Sequence, residues 1–126
     1  MPSSDQQPEL PTCLFCKIVA GVIPSHKVYE DEWFYAFHDI HPAAPIHFLI
    51  VPKLHIPSMA HLTEEHTALM GQMMTLAPRL ALEQGCRPYP EGGFRIVCNT
   101  GTEGGQEVHH LHMHVMGGPR PWARKQ

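Results

Sequence analysis

Residues His109–Met116 read His-His-Leu-His-Met-His-Val-Met, and no other stretch restricts the possible folds of this chain so tightly. Four of the eleven histidines fall inside it. Side chains along a β-strand alternate between two faces. Read as a strand, the segment sets His110, His112 and His114 on one face and Leu111, Met113 and Val115 on the other. A buried apolar face thus backs a row of imidazoles. A purification tag has no alternating apolar partner, nor does it lie between two glycine pairs, here Gly104-Gly105 and Gly117-Gly118.

Three imidazoles on one face suggest either a metal site or catalysis. Same-face neighbours on a strand lie about 6.6 Å apart and the outer pair about 13 Å. Zinc holds its nitrogen ligands at about 2.0–2.1 Å, so a straight strand cannot close all three on one ion. The spacing favours catalysis, with a neutral imidazole as nucleophile and neighbours that bind and protonate what it attacks.

A length of 126 residues predicts one domain with a modest core. The net charge of -3 and the pI near 6.4 argue against a nucleic-acid scaffold held by phosphate contacts. A nucleotide bound here must be small and held by something other than a basic field. Residues 1–11 are polar and lack the apolar run of a signal peptide, and no stretch approaches a membrane span. The expected setting is the cytoplasm, with reduced cysteines and with neither nucleic acid nor membrane as partner.

Residues 1–11 are expected to form a disordered tail, 12–118 the folded part, and 119–126, with Trp122, a C-terminal tail. Leu14, Phe15 and Ile18 recur at helical spacing. Cys13 and Cys16 form a CxxC with three readings: half a zinc site, a redox pair, or two small buried apolar side chains. The redox reading wants a βαβ context that is missing here.

Lys27–Glu30 and Trp33–Phe37 read as strands joined by Asp31-Glu32, and His38–Pro45 as a loop stiffened by two prolines. Ile46–Val51 alternates Ile46, Phe48 and Ile50 against His47, Leu49 and Val51; Pro52 ends it and His55 lies beyond. Thr63 is placed to cap one long helix, Glu64 and Glu65 suit its positive end, and Gly85 suits its stop. Leu69, Met70, Met73, Leu76, Ala77, Leu80 and Ala81 form its apolar stripe, and Pro78 is expected to bend it. Residues 86–93 form a loop and Phe94–Asn99 a further strand. The glycine-rich turn 100–107 can aim backbone N–H groups at an anion. Roughly five strands, one long helix and one short helix predict an α+β fold, an antiparallel sheet with the long helix on one face.

With these elements in place, the chain resembles the histidine triad (HIT) family, and within it the bacterial form of the Hint branch of nucleoside phosphoramidases. The likeness rests on Gly104–Gly118 (Gly-Gly-Gln-Glu-Val-His-His-Leu-His-Met-His-Val-Met-Gly-Gly), Phe37-His38-Asp39-Ile40, Pro45-Ile46-His47-Phe48 and Pro52-Lys53-Leu54-His55-Ile56. It covers Cys13 to Gly118. It implies a HIT-like fold, a homodimer pairing through the long helix and a strand, and hydrolysis of P–N and related bonds in purine nucleoside monophosphate derivatives. A dinucleoside polyphosphate hydrolase, and a nucleotide-binding or zinc-stabilised adaptor with little turnover, are the alternatives.

Residue by residue, the resemblance makes His112 the nucleophile on an α-phosphate, giving a nucleotidyl-histidine intermediate, and makes the His110 carbonyl its orienting group. His114 and the Gly105 amide would hold phosphate oxygens, with Asn99 and Glu107 beside the leaving group. Asp39 would take the ribose hydroxyls, and Leu14, Phe15, Ile18, Phe37, His38, Ile40 and Leu49 would enclose the base. His47 joins the catalytic set, and Gln106 and Val108 the nucleotide-binding one. Elementary chemistry agrees: one carboxylate can accept two hydroxyl bonds, and the lack of an arginine cluster in the sequence suits a single phosphate. The resemblance also implies a structural zinc on Cys13, Cys16, His55 and His110, with no cofactor required for catalysis. Two positions depart from the family pattern. Glu107 stands where many relatives have serine, and His109 where an aromatic is usual, which suggests a packing role for His109.

Overall fold

The computed structural model describes residues 12–120. The expected tail at 1–11, and residues 121–126 of the C-terminal one with Trp122, lie outside the described residues. The elements run α1 (Leu14–Val19), β1 (Lys27–Glu30), β2 (Phe34–His38), β3 (Ile46–Pro52), α2 (Thr67–Glu83), β4 (Phe94–Val97) and β5 (Met113–Gly117). All strand pairings are antiparallel, in the order β1-β2-β3-β5-β4. β4 leaves room beside β3 that β5 fills, so the histidine-bearing strand is hydrogen-bonded on both sides.

The α+β architecture follows from the alternation in the strands. One face of the sheet contributes Phe34, Ala36, Phe48, Ile50, Met113 and Val115, which pack with Met73, Leu76, Ala77, Leu80 and Ala81 of α2. A large side chain fully buried in this way contributes about 1.5–3 kcal/mol. The opposite face contributes Tyr35, Phe37, Leu49 and Val51, covered by Phe15, Cys13, Cys16 and Ile18 of the α1 segment. α1 has only six residues and leaves part of this second face open. His47, His112 and His114 line the open part.

Several boundaries differ from expectation for local reasons. The histidine strand starts at Met113, not upstream of it, because residues 110 and 111 bond elsewhere: His110 N–H donates to Val108 O (2.9 Å) and Leu111 N–H to Ile56 O (2.7 Å). The facing of the side chains survives this detour, with Leu111 still in the α2-side core. Trp33 stays out of β2, since Asp31 Oδ1 accepts both the Trp33 and Phe34 N–H groups (2.7 Å each) in a tight turn. His38, expected in the following loop, closes β2 opposite Phe48. β4 ends at Val97 because Asn99 turns to donate to Gly104 O (2.8 Å).

Thr63 does act as a cap, accepting from Glu65 N–H, but it caps a 3-10 turn (Glu64–His66) in which His66 Nδ1 accepts the Thr63 N–H. The α-helix proper begins at Thr67 and stops before Gly85, whose φ of +111° suits glycine. Pro78 lies on the exposed side of α2, so the backbone bond it forfeits faces water and the helix runs on. His109 is exposed, so it does not pack as expected.

Candidate active site

Two adjoining cavities occupy the open part of the second face. The first, about 200 Å³, is lined by Leu14, Phe15, Ile18, Phe37, His38, Asp39, Ile40 and Leu49, joined by Ile23, Pro24 and Ser25. All seven residues expected around a base meet here, with Ile40 (77 % exposed) and Leu14 at the rim. The second, about 240 Å³, is lined by Asp39, His47, Asn99, Gly105, Glu107, Val108, His112, His114 and Met116. Phe15, Asp39 and Leu49 border both. The result is an apolar slot running into a polar one, with a carboxylate at the junction.

The ring orientations follow from which partners can only accept or only donate. His112 Nδ1 lies 2.7 Å from the His110 carbonyl oxygen. A carbonyl only accepts, so Nδ1 carries the proton and a neutral ring keeps a lone pair on Nε2. Burial pushes the His112 pKa down from 6.5, against the bond to the His110 carbonyl and the nearby charges of Asp39 and Glu107. A neutral, singly oriented imidazole is the nucleophilic form.

His47 is fixed from the other direction. The Ala43 N–H donates to His47 Nδ1 (2.9 Å), so Nε2 carries the proton and faces His114 Nδ1 at 3.0 Å and Asp39 Oδ2 at 3.3 Å. His114 Nδ1 then accepts, which leaves its own Nε2–H as a donor. A backbone amide two rings away thus turns His114 Nε2 into a hydrogen-bond donor. Asp39 also accepts the His41 N–H through Oδ1 (2.7 Å), so its carboxylate both closes a turn and faces the site.

The structure spreads the three triad imidazoles over different tasks. His110 is fully buried, and its ring points away from the pocket into a cluster with Cys13, Cys16 and His55. Its Nε2–H donates to Pro52 O (2.8 Å), leaving Nδ1 as the free donor atom. That Nδ1 lies 3.3 Å from Cys13 Sγ, 3.5 Å from Cys16 Sγ and 3.2 Å from His55 Nδ1, which is itself 3.3 Å from Cys16 Sγ where the two meet. A tetrahedron with zinc-like bond lengths has N–N edges of about 3.3 Å and N–S edges of about 3.5 Å. The four buried side chains therefore fit a closed metal site as they stand. Burial, together with the neighbouring imidazoles, drives the His110 pKa down to about 4 despite the bond to Pro52, which favours the neutral, ligating ring. Asp39, His47 and His114 also converge, but the nitrogen that His47 turns toward the others carries a proton, so this trio is a hydrogen-bonded group.

Other expected residues have different duties. Gln106 does not line the pocket. Its side chain bonds to Pro57 O, Val108 O and Gly101 N, and its N–H to Gly101 O, so it braces the glycine turn. The Gly105 N–H donates to Thr102 O (3.1 Å), although the residue borders the cavity. The Ala43 amide, the Pro52 carbonyl, Met116 and the Ile23-Pro24-Ser25 wall were not legible as site elements. Register is the one usable signal among these, since Met116 lies opposite His47 and hence on the same face. The sequence also hides an arginine cluster: Arg87, Arg95 and Arg120 gather around a cavity of about 530 Å³ beside β4, which shares only Met116 with the lining of the His112 pocket.

An antiparallel sheet with paired, tautomer-locked imidazoles on one face defines a histidine triad protein. A profile of the HIT domain matches residues 20–120, and the chain belongs to this family and is an enzyme of it. It is 50% identical over 107 residues to Protein HitA of Neisseria gonorrhoeae, covering 85% of this chain and 96% of that one. It is 44% identical over 105 residues to the purine nucleoside phosphoramidase of Escherichia coli K12, covering 83% and 86%. Among solved structures, a HIT family hydrolase from Legionella pneumophila superposes with a TM-score of 0.81 at 42% identity, covering 86% of this chain and 94% of that one. A histidine triad protein from Clostridium difficile gives a TM-score of 0.81 at 39% identity, covering 90% and 96%. Among the described residues, no helix is long and apolar enough to cross a membrane.

Proposed function

We propose that this protein hydrolyses P–N bonds at the α-phosphate of purine nucleoside monophosphate derivatives, through a nucleotidyl-histidine on His112. The observation that carries the reading is the bond from His112 Nδ1–H to the His110 carbonyl, which leaves Nε2 as the lone-pair nitrogen of a residue lining the polar cavity. The base occupies the apolar slot and the ribose hydroxyls meet Asp39 at the junction, which brings the α-phosphate beside His112 and His114.

Nε2 of His112 attacks phosphorus as the bond to the leaving nitrogen breaks, and the departing amine takes a proton from solvent at the open Glu107 side. The phosphorylated ring is cationic. The His110 carbonyl holds its Nδ1–H, and the carboxylates of Asp39 and Glu107, which already favour the charged ring, stabilise it. His114 Nε2–H and Asn99 hold phosphate oxygens. Water then attacks phosphorus and gives up a proton to solvent, the Nε2–P bond breaks, and the ring returns as the neutral Nδ1–H form with release of the nucleoside monophosphate.

Cys13, Cys16, His55 and His110 hold a zinc ion in this reading. With all four of these side chains bound to it, the ion would supply structure and take no part in the chemistry. The likeness to the E. coli phosphoramidase supports the P–N substrate class. The outer edge of β4, unpaired in the sheet order and flanked by exposed Phe94, supports a homodimer built through that strand and α2. A fluorogenic adenosine phosphoramidate tests the proposal. His112→Ala is expected to abolish turnover while leaving nucleoside monophosphate binding within about tenfold, or roughly 1.4 kcal/mol. A variant keeping more than a few per cent of wild-type turnover refutes the nucleophile.

A further inference from the structure

The His110 carbonyl sets the tautomer of the nucleophile, yet no sheet bond holds it. β5 begins at Met113, so the ladders to β3 and β4 do not reach residues 110–112. Two holds restrain this carbonyl: the Leu111 N–H of the same planar peptide group, bonded to Ile56 O at 2.7 Å, and the residue's own side chain. The ring is gripped at both nitrogens, Nε2–H by Pro52 O at 2.8 Å and Nδ1 by the sulfurs of Cys13 and Cys16 and by His55 Nδ1 at 3.2–3.5 Å. The adjoining Leu111 N–H is tied to Ile56 O, one residue from His55. From the same residue, the backbone oxygen reaches His112 Nδ1 at 2.7 Å.

We infer that Cys13, Cys16 and His55 are positioning residues for catalysis: by clamping the His110 ring they fix the carbonyl that selects the Nδ1–H form of His112. If the clamp loosens, the carbonyl drifts and the proton of His112 is free to move to Nε2. The lone pair then sits on Nδ1, toward the protein, where no phosphorus atom can reach it. The metal cluster and the nucleophile are one device joined through a single residue, and filling the cluster tightens the nucleophile's geometry. A purely structural cluster would stabilise the fold and leave the His112 tautomer alone.

The tautomer can be read without turnover, from the ¹⁵N side-chain resonances of the histidines in the full-length protein. Zinc-loaded wild type is expected to show His112 as a single Nδ1–H form. Chelator-treated wild type and Cys16→Ser are expected to show both tautomers in exchange, at a temperature where the amide signals of Met113–Gly117 report an intact strand. The kcat arm rests on the proposed phosphoramidase reading: kcat is expected to fall about tenfold, the loss of one hydrogen bond's worth of orientation, with KM within about twofold. His55→Gln, which keeps a polar side chain at the site, serves where Cys16→Ser does not fold. An unchanged single Nδ1–H form in the stripped and substituted proteins, with only the melting temperature lowered, overturns the inference. Loss of the single tautomer without any measurable phosphoramidase activity in wild type upholds the clamp and refutes the substrate assignment instead.

Discussion

Asparagine at position 39 would separate the two jobs of Asp39. Its carboxylate accepts the His41 N–H through Oδ1 at 2.7 Å and sets Oδ2 3.3 Å from His47 Nε2, whose proton points to His114 Nδ1. Asparagine offers one oxygen and one NH₂, so either way of seating it sets the NH₂ against a donor. His47 cannot escape by changing tautomer, because its Nδ1 already accepts the Ala43 N–H. Leaving one partly buried donor unmet costs about 1–3 kcal/mol, and Asp39→Asn is expected to lower the melting temperature by several degrees, roughly 3–5 °C per kcal/mol in a domain of this size. Ribose binding suffers separately, since each hydroxyl bond to a carboxylate contributes about 1.5–3 kcal/mol, tenfold or more in Kd. Calorimetric titration of adenosine monophosphate and of its 2′,3′-dideoxy analogue distinguishes the two effects. The first ligand is expected to weaken at least about tenfold and the second by less than about threefold. Equal losses for both would mean that Asp39 serves the turn and His47 alone, and the ribose assignment would fall.

Protein purified without chelator is expected to carry about one zinc per chain by elemental analysis, through the four-donor cluster. Finding none, with Cys13 and Cys16 freely titratable, would return the CxxC to simple packing. Glu107→Ser is expected to lower kcat/KM for phosphoramidates with cationic amine leaving groups more than for neutral ones; equal factors would make Glu107 a bystander. Sedimentation is expected to give about 28 kDa, twice the 14.2 kDa chain, and a charged substitution at Phe94 on the open β4 edge to shift this toward monomer. A stable single-chain species for the unmodified protein would refute the dimer.

How much of this was legible depends on whether a feature is written in side-chain identity or in backbone geometry. The alternation of Leu111, Met113 and Val115 against His110, His112 and His114 was readable, because burying one face of a strand leaves no freedom about the other. The α2 stripe was readable for the same reason: its five buried residues all fall within the apolar set expected from helical spacing. The start of β5 was not readable, since nothing in His-His-Leu says that His110 will be drawn into a pair of cysteines some 95 residues upstream in the chain. A histidine strand read as straight puts three rings in a row, whereas the tertiary contacts assign one ring to sulfur, one to the pocket and one to His47. The groups that choose each tautomer, Ala43 N–H and the carbonyls of Pro52 and His110, are backbone atoms that every residue carries. No residue type flags them, and only the folded positions show which way each proton points.

Charge placement bears on the choice between a single phosphate and a polyphosphate chain. Lys27 and Lys53 both close on Glu30, at 3.0 and 2.8 Å, Arg79 pairs with Glu83, and three arginines surround the cavity beside β4. Among the described residues, no lysine or arginine lines the pocket of His112, which instead holds Asp39 and Glu107. A substrate phosphate there must rely on neutral donors such as His114 Nε2–H and Asn99. One negative charge can be met that way, with the ribose hydroxyls drawing on Asp39. Each further phosphate sets a like charge near these carboxylates, at roughly 3 kcal/mol for unit charges 5 Å apart and an effective dielectric constant of 20. A cationic amine in the same place gains with the opposite sign. The same two carboxylates also favour the charged form of His112, the form that bonding to phosphorus would create in the proposed reaction. The electrostatics therefore disfavour a polyphosphate substrate and would stabilise the proposed covalent intermediate.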